Sequence, residues 1–402
     1  MNNFNLGRDL YLKGRIGWRG LSKDEYLPFS EYKIINATSL MDGYVDWNNC
    51  GFISKERYEE SPEIMLQEGD ILISKDGTLG KIGYVKDITT PCTVASGVFV
   101  LRNTIPHKLS FDYLYHVLKS SIFKNFISRN KAIGSTISHL YQVDLEEFEL
   151  ELPDIDEQRR IASILDSLDF KISNNVSICS NLEAMAKLLY DYWFVQFDFP
   201  DENGQPYKSS GGKMVWNEDL KREIPAGWEV GTISDYCRIF TGKKDVNQAN
   251  IIGKYKFYSC APEYRFSDDK LYEGKAILVS GNGSYTGRTI FVNDAFDLYQ
   301  RTYALTPLSG TVPLVYIFYS MLRFFVPVVS GGTHGSAIPY IVYGDIANQR
   351  ILYNQDIVNR FERISTNLQD RIIALEKENQ QLSSLRDFLL PMLMNGQVKV
   401  GA

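Results

Sequence analysis

Ile161, Leu165, Leu168, Ile172, Asn175, Cys179, Leu182, Ala186, Leu189 and Trp193 succeed one another at alternating steps of four and three residues. The same spacing recurs 200 residues later at Phe361, Ser365, Leu368, Ile372, Leu375, Asn379, Leu382, Arg386, Leu389 and Leu393. Such alternation lays a mostly apolar seam along a helix that packs lengthwise on a partner helix. At about 1.5 Å per residue, roughly 35–40 residues make a rod on the order of 55 Å long. A single copy would fit an ordinary amphipathic helix in a globular core equally well. Recurrence at a fixed offset instead predicts two rods and a duplicated chain.

Outside the rods the pattern changes to short β-rich runs. In residues 1–152 these are 34–36, 71–74, 81–85 and 94–101, followed by a helix over 111–129 with Leu114, Val117, Leu118, Ile122 and Phe126 on one face. Residues 137–152 return toward the first rod, 153–197, which Asp154 or Asp156 can cap. Residues 198–212 are rich in turn formers and mark a linker, taken as 198–223. A second globule, 224–353, repeats the order: strands at 276–280 and 289–292, a helix at 314–325, and a return over 338–352 into the second rod, 354–402. Glu68-Gly69-Asp70-Ile71-Leu72-Ile73-Ser74 is echoed by Glu273-Gly274-Lys275-Ala276-Ile277-Leu278-Val279-Ser280, and Gly134-Ser135-Thr136-Ile137 by Gly335-Ser336-Ala337-Ile338.

With 402 residues, 44% hydrophobic and 23% charged, the chain has material for two or three folded domains. The apolar run 312–329 is interrupted by Arg323 and flanked by Pro313 and Pro327, so a buried helix is expected there and no membrane span. The polar start carries no export signal, and five widely spaced cysteines without a Cys-x-x-Cys pair fit a reducing cytoplasm and no zinc site. A net charge of −6 excludes a uniformly basic nucleic-acid binder, yet residues 231–353 carry +3 while 1–153 carry −3. Local basic surfaces therefore remain open in both halves.

Two pairs of loops occupy matching places. Lys75-Asp76-Gly77-Thr78-Leu79-Gly80-Lys81 and Gly281-Asn282-Gly283-Ser284-Tyr285-Thr286-Gly287-Arg288 each lie between strands. The second has glycines at G-x-G-x-x-x-G and is followed by a strand instead of a helix, which argues against a dinucleotide loop and for a hairpin. Residues 128–136 and 330–336 form the second pair, polar and following the predicted helix in each globule. Each loop alone reads as surface. Together they offer Lys75, Thr78, Lys81, Arg129, Lys131, Ser135 and Thr136 in the first globule as DNA contacts. In the second globule the candidates are Lys243, Lys244, Asn282, Ser284, Arg288, Thr333, His334 and Ser336. His334 has no carboxylate or nucleophile close in sequence, and no Walker A, His-Glu-x-x-His, Gly-x-Ser-x-Gly or adenine-methyltransferase Pro-Pro motif is present.

The segment Leu152-Pro153-Asp154-Ile155-Asp156-Glu157-Gln158-Arg159-Arg160-Ile161-Ala162-Ser163-Ile164-Leu165 resembles the central helical region of type I restriction-modification specificity subunits, and Ile224-Pro225-Ala226-Gly227-Trp228-Glu229 resembles their domain opening. The resemblance covers essentially the whole chain. It implies an α+β fold with two similar mixed α/β target-recognition domains separated by two long antiparallel helices, a coiled-coil spacer. It further implies that each domain reads one half of a split site in double-stranded DNA. Expected partners are two methyltransferase subunits and motor-nuclease restriction subunits, with S-adenosylmethionine, ATP and magnesium bound there and no cofactor or catalytic residue in this chain. The first half lacks the Pro-x-Gly-Trp opening, and Asn354-Gln355-Asp356-Ile357-Val358 stands where the first rod has Pro153-Asp154-Ile155-Asp156-Glu157, so rod starts with different partner surfaces are expected. A free-standing nuclease or methyltransferase with a degenerate site, and a scaffold binding only protein, are the alternatives.

Overall fold

The computed structural model describes residues 2–16, 20–41, 43–129, 139–308, 312–330, 334, 338–394 and 397–398. The chain forms two compact units: Met1–Ser173 with Gln380–Ala402, and Asn174–Asn379. Both long helices, Ile155–Tyr190 and Gln355–Met394, contribute a part to each unit.

In the first unit a six-stranded sheet runs in the order Tyr11–Gly14, Val98–Arg102, Ile71–Ser74, Ile82–Tyr84, Gly43–Val45, Leu40–Met41. Side chains alternate across its pleat. Ile71, Ile73, Phe99 and Leu101 face the helices Phe111–Lys119 and Ser121–Arg129 and the long-helix residues Ile161, Leu165, Leu390 and Leu393. Leu72, Val98 and Val100 face Ile35, Leu40, Val85 and Val94. With apolar layers on both faces, the strands read as continuous hydrophobic runs.

The second unit has Cys237–Thr241, Thr302–Pro307, Tyr272–Ser280, Thr289–Leu298, Tyr255–Tyr258 and Arg265–Ser267, the same order in its first four strands and the reverse chain order in the last two. Ile277, Val279, Leu305 and Phe291 pack with Leu314–Ser320 and with Ala186, Tyr190, Val358 and Phe361 of the long helices. Ala276, Leu278 and Ala304 face the opposite layer. Beside each sheet stands a matching pair of strands, Asn2–Asn5 with Glu149–Leu152 and Glu229–Thr232 with Arg350–Tyr353. The first globule thus has its opening strand without the Pro-x-Gly-Trp signal. In the second unit that signal serves packing: Trp228 stands 5.8, 5.7 and 5.2 Å from the rings of Phe194, Phe197 and Phe199.

Every predicted seam position of both rods is buried or half-buried. Within the first unit Asp169 meets Arg386 while the earlier Ile161 and Leu165 share a core with the later Leu390 and Leu393, so the helices run antiparallel. Within the second unit the Asn175 amide donates to Asn379 and Trp193 meets Phe361, the same antiparallel sense. The expected difference at the rod starts is absent from their caps. Asp154 Oδ1 accepts from the amides of Asp156 and Glu157, and Asn354 Oδ1 accepts from those of Asp356 and Ile357. Asp154→Ala or Asn354→Ala should each cost about 1 kcal/mol. For a unit of this size that is a fall of roughly 2–4 °C in Tm; an unchanged midpoint by circular dichroism would count against the caps.

Three predicted elements differ. The helix expected over 111–129 breaks at Ser120, whose hydroxyl donates to the Val117 carbonyl and accepts the Ile122 amide. Past the break Phe123 and Ile127 are buried, and the expected Ile122 and Phe126 pack half-buried on the same core. The expected strand 94–101 is two strands, Cys92–Val94 and Val98–Arg102, which belong to different sheets. The turn-rich stretch after the first rod is ordered: Phe197, at φ +65, and Phe199 are buried, and Phe199 stacks on Tyr207 at 4.7 Å. The apolar run near 312–329 is a buried helical segment with one π turn, Met321–Phe325. Among the described residues no helix is long and apolar enough to cross a membrane.

Candidate nucleic-acid interface

Each six-stranded sheet projects a hairpin loop from its middle strands, and the two loops are closed by the same bonds. The Ser74 amide donates to the Lys81 carbonyl at 2.9 Å and the Gly80 amide to the Ser74 carbonyl at 2.9 Å. In the second unit the Ser280 amide donates to the Arg288 carbonyl at 2.9 Å and the Gly287 amide to the Ser280 carbonyl at 2.8 Å. Gly80 and Gly287 take φ of +74 and +83, where a side chain is strained. Lys81 and Arg288 therefore hold the same place: a cation leaving the hairpin at its closing end.

The loop bases are braced alike. The Lys75 amide donates to the Gly97 carbonyl, and the Lys75 carbonyl accepts from Leu140. The Gly281 amide donates to the Arg301 carbonyl, and the Gly281 carbonyl accepts from Ile341. In each globule the hairpin is thus tied to the stretch that follows the second polar loop, although Lys75 and Leu140 are far apart in sequence. Fixed backbone of this kind holds polar side chains toward a ligand without further ordering.

Side chains reinforce the tie. His139 Nδ1 lies 2.8 Å from Asp76 Oδ1, while the Thr286 hydroxyl donates to the Pro339 carbonyl at 2.9 Å. His334 does have a carboxylate partner: its Nε2 is 3.3 Å from Asp345, and its ring stacks on Tyr340 at 5.3 Å. That is the setting of a bracing residue. Asn282 accepts from the Cys260 thiol at 3.2 Å, and the Arg288 guanidinium reaches the carbonyls of Ala261 and Pro262 at 3.5 and 3.4 Å. Burial lowers the Arg288 pKa from its ordinary value, but an arginine keeps its charge under such conditions.

The candidates divide accordingly. Thr78, Arg129, Lys243 and Ser284 are exposed, while Lys75, Lys81, Asn282 and Arg288 are half-buried around the hairpins. The Lys75 ammonium sits 5.1 Å from the Phe99 ring centroid. Lys244 is engaged inside the fold by Asp297 at 2.7 Å and Asp269 at 2.9 Å, and these bonds raise its pKa, so it steadies its turn instead of presenting a free charge. Lys131, Ser135, Thr136, Thr333 and Ser336 lie outside the described residues. Lys119, Lys124 and Arg386, which line a groove with Lys81, were not among the sequence candidates. The signal that could have found them is their contrast with Tyr319, Phe324 and Ala186 at an offset of 200 residues.

A Cβ added at Gly281 would fall inside van der Waals contact of the Arg301 carbonyl oxygen. Backbone cannot yield as a flexible side chain does, so Gly281→Ala should displace the second hairpin at a cost of roughly 1–3 kcal/mol. Hydrogen exchange should quicken over 281–288 and leave 75–81 unchanged; unaltered exchange at both would refute the close approach.

Residues 19–183 match the family model for the type I restriction modification DNA specificity domain. The chain is 27% identical over 372 residues to the type I restriction enzyme MjaIX specificity subunit of Methanocaldococcus jannaschii, covering 87% of this chain and 82% of that protein. It is 27% identical over 186 residues to the EcoDI specificity subunit of Escherichia coli, covering 44% of this chain and 40% of that protein. The solved type I restriction-modification S subunit from M. genitalium shares the fold with a TM-score of 0.58 at 19% identity, over 98% of this chain and 95% of that one. The chain is thus similar to type I restriction-modification specificity subunits, through its first globule and rod to the family's DNA specificity domain and along most of its length to one such relative.

Proposed function

We propose that each unit reads one half of a bipartite site in double-stranded DNA through its braced hairpin and the polar loop beside it. The observation that carries this reading is the repetition of one closing and bracing pattern around Lys81 and Arg288, in two units that otherwise differ in side chains. Compact donors held on fixed backbone suit base edges and phosphates. The chain is the non-catalytic member of its complex. The methyltransferase subunits supply S-adenosylmethionine chemistry on adenine, and motor-nuclease subunits supply ATP- and magnesium-dependent translocation and cutting. The paired helices dock the methyltransferases and set the spacing between half-sites.

The test is methylome sequencing of cells expressing this chain with its cognate methyltransferase subunit, against cells lacking the chain. Adenine methylation at one new split motif is expected, and exchanging residues 224–353 for those of a relative should change one half only. An assembled complex that methylates no new motif overturns the reading.

A further inference from the structure

In the first unit, Lys81 from the hairpin, Lys119 and Lys124 from either side of the helix break at Ser120, and Arg386 from the C-terminal long helix line one groove of about 350 Å³. Their charge is only partly compensated. Asp169 accepts from Lys119 at 3.0 Å and from Arg386 at 2.7 Å, one carboxylate shared between two cations, and Asp387 meets Arg386 at 3.1 Å. Among the described residues no carboxylate lies within ion-pair distance of Lys81 or Lys124. Asp42, between the lining residues Met41 and Gly43, lies outside the described residues. Among the described residues, four cations against two carboxylates leave an excess of two positive charges in a chain whose net charge is −6.

The fold does not require this. At an offset of 200 residues from Lys119, Lys124 and Arg386 the second unit has Tyr319, Phe324 and Ala186. Where Lys119 pairs with Asp169, the Tyr319 hydroxyl donates to Gln369 at 3.2 Å, so the same joint between globule and rod is closed without charge. Only the hairpin cation is kept, as Arg288. Like charges gathered in one groove repel, and a site that retains them where its twin does without is built for an anion.

We infer that this groove is a backbone seat, present in the first unit alone, for two neighbouring phosphates of the DNA that its hairpin reads. The inference rests on the function proposed above. Lys119 and Arg386 are held in place by Asp169, so the seat is preorganised, while Lys81 and Lys124 have no carboxylate partner among the described residues and can turn toward the ligand. Phosphate contacts carry no sequence information and fix register. The seat therefore orients the first half-site on the protein without choosing its bases.

The test uses the full chain assembled with its methyltransferase subunit, the double variant Lys81→Gln/Lys124→Gln, and duplexes carrying either the methylated motif or a scrambled one. For the variant, the slope of log affinity against log salt should be shallower by about two, near 0.9 for each phosphate that is no longer neutralised. Affinity should fall on the order of ten- to a hundredfold at about 0.1 M salt, equally for both duplexes, with the Tm unchanged. An unchanged slope overturns the seat, and so does a selective loss of motif preference, which would make these lysines base readers. Inorganic phosphate that protects wild type but not the variant from thermal unfolding, with duplex binding the same in both, would assign the groove to a free anion and overturn the DNA assignment. If the wild-type complex shows no preference for the motif duplex, the failure belongs to the proposed function, whatever the slopes.

Discussion

Phe361→Ala is expected to destabilise the second unit by about 3–5 kcal/mol, the usual cost of removing a fully buried aromatic ring. Phe361 has no exposed surface. Its ring stands nearly perpendicular to Phe194 at 5.2 Å and lies 5.9 Å from Tyr190 and 6.1 Å from Trp193 and Tyr319. Edge-to-face pairs of this sort add to the area term. The surrounding rings come from the N-terminal long helix and the helix that covers the sheet, so the cavity cannot close by moving one element. At roughly 2–4 °C for each kcal/mol in a unit of this size, a fall on the order of 10 °C follows. Hydrogen exchange resolved by peptide is the measurement, with protection lost over 174–379 and kept over the first unit's sheet. A cost below about 1 kcal/mol would show that the cluster relaxes around the gap and that Phe361 does not anchor the unit.

Asp169→Ala should have the next largest effect, about 2–4 kcal/mol in the first unit, because it leaves Lys119 and Arg386 close together and without their shared partner. Burial alone pushes the Asp169 carboxyl up, but Lys119 and the Arg386 guanidinium outweigh it and hold it below its ordinary value. A carboxyl lowered in the folded state stabilises the fold above its unfolded pKa, near 3.9, and loses that contribution as the pH falls through its folded value. Wild type should therefore lose stability below about pH 4 by more than the variant does. The paired experiment is Gln369→Ala in the second unit, where the Tyr319 phenol loses a neutral partner at a cost of about 1 kcal/mol and with no dependence on salt. Equal salt and acid sensitivity in the two variants would refute the contrast between an ionic and a neutral joint.

The rods were legible because their signal is local. Steps of three and four residues place Ile161 and Leu165 on one face of the first rod, and Phe361 and Leu368 on one face of the second, whatever that face later meets, and a buried face is what the pattern demands. The hairpins were legible for a similar reason: Gly80 and Gly287 supply the left-handed backbone that tight loops between β-rich runs need. Their matching order along the chain also exposed the duplication. What the rods' antiparallel sense needed was family resemblance, since periodicity carries no direction.

The break at Ser120 could not be read in advance. Serine is tolerated inside a helix and favoured at its ends, and the choice was made by Phe123 and Ile127 gaining a place in the core beside Ile122 and Phe126. The single run over 94–101 divides because its two ends pair with different sheets, a matter of which strands lie nearby. The same holds for the interface. Lys81 and Arg288 carry recognisable chemistry in the chain, but the bond from Leu140 to Lys75, and the meeting of Lys81 with Lys119, Lys124 and Arg386, have no signature in either segment alone. Short-range spacing sets which face of a helix or strand is apolar. Closure of the chain over long separations, driven by burying those faces together, sets which polar groups then stand side by side.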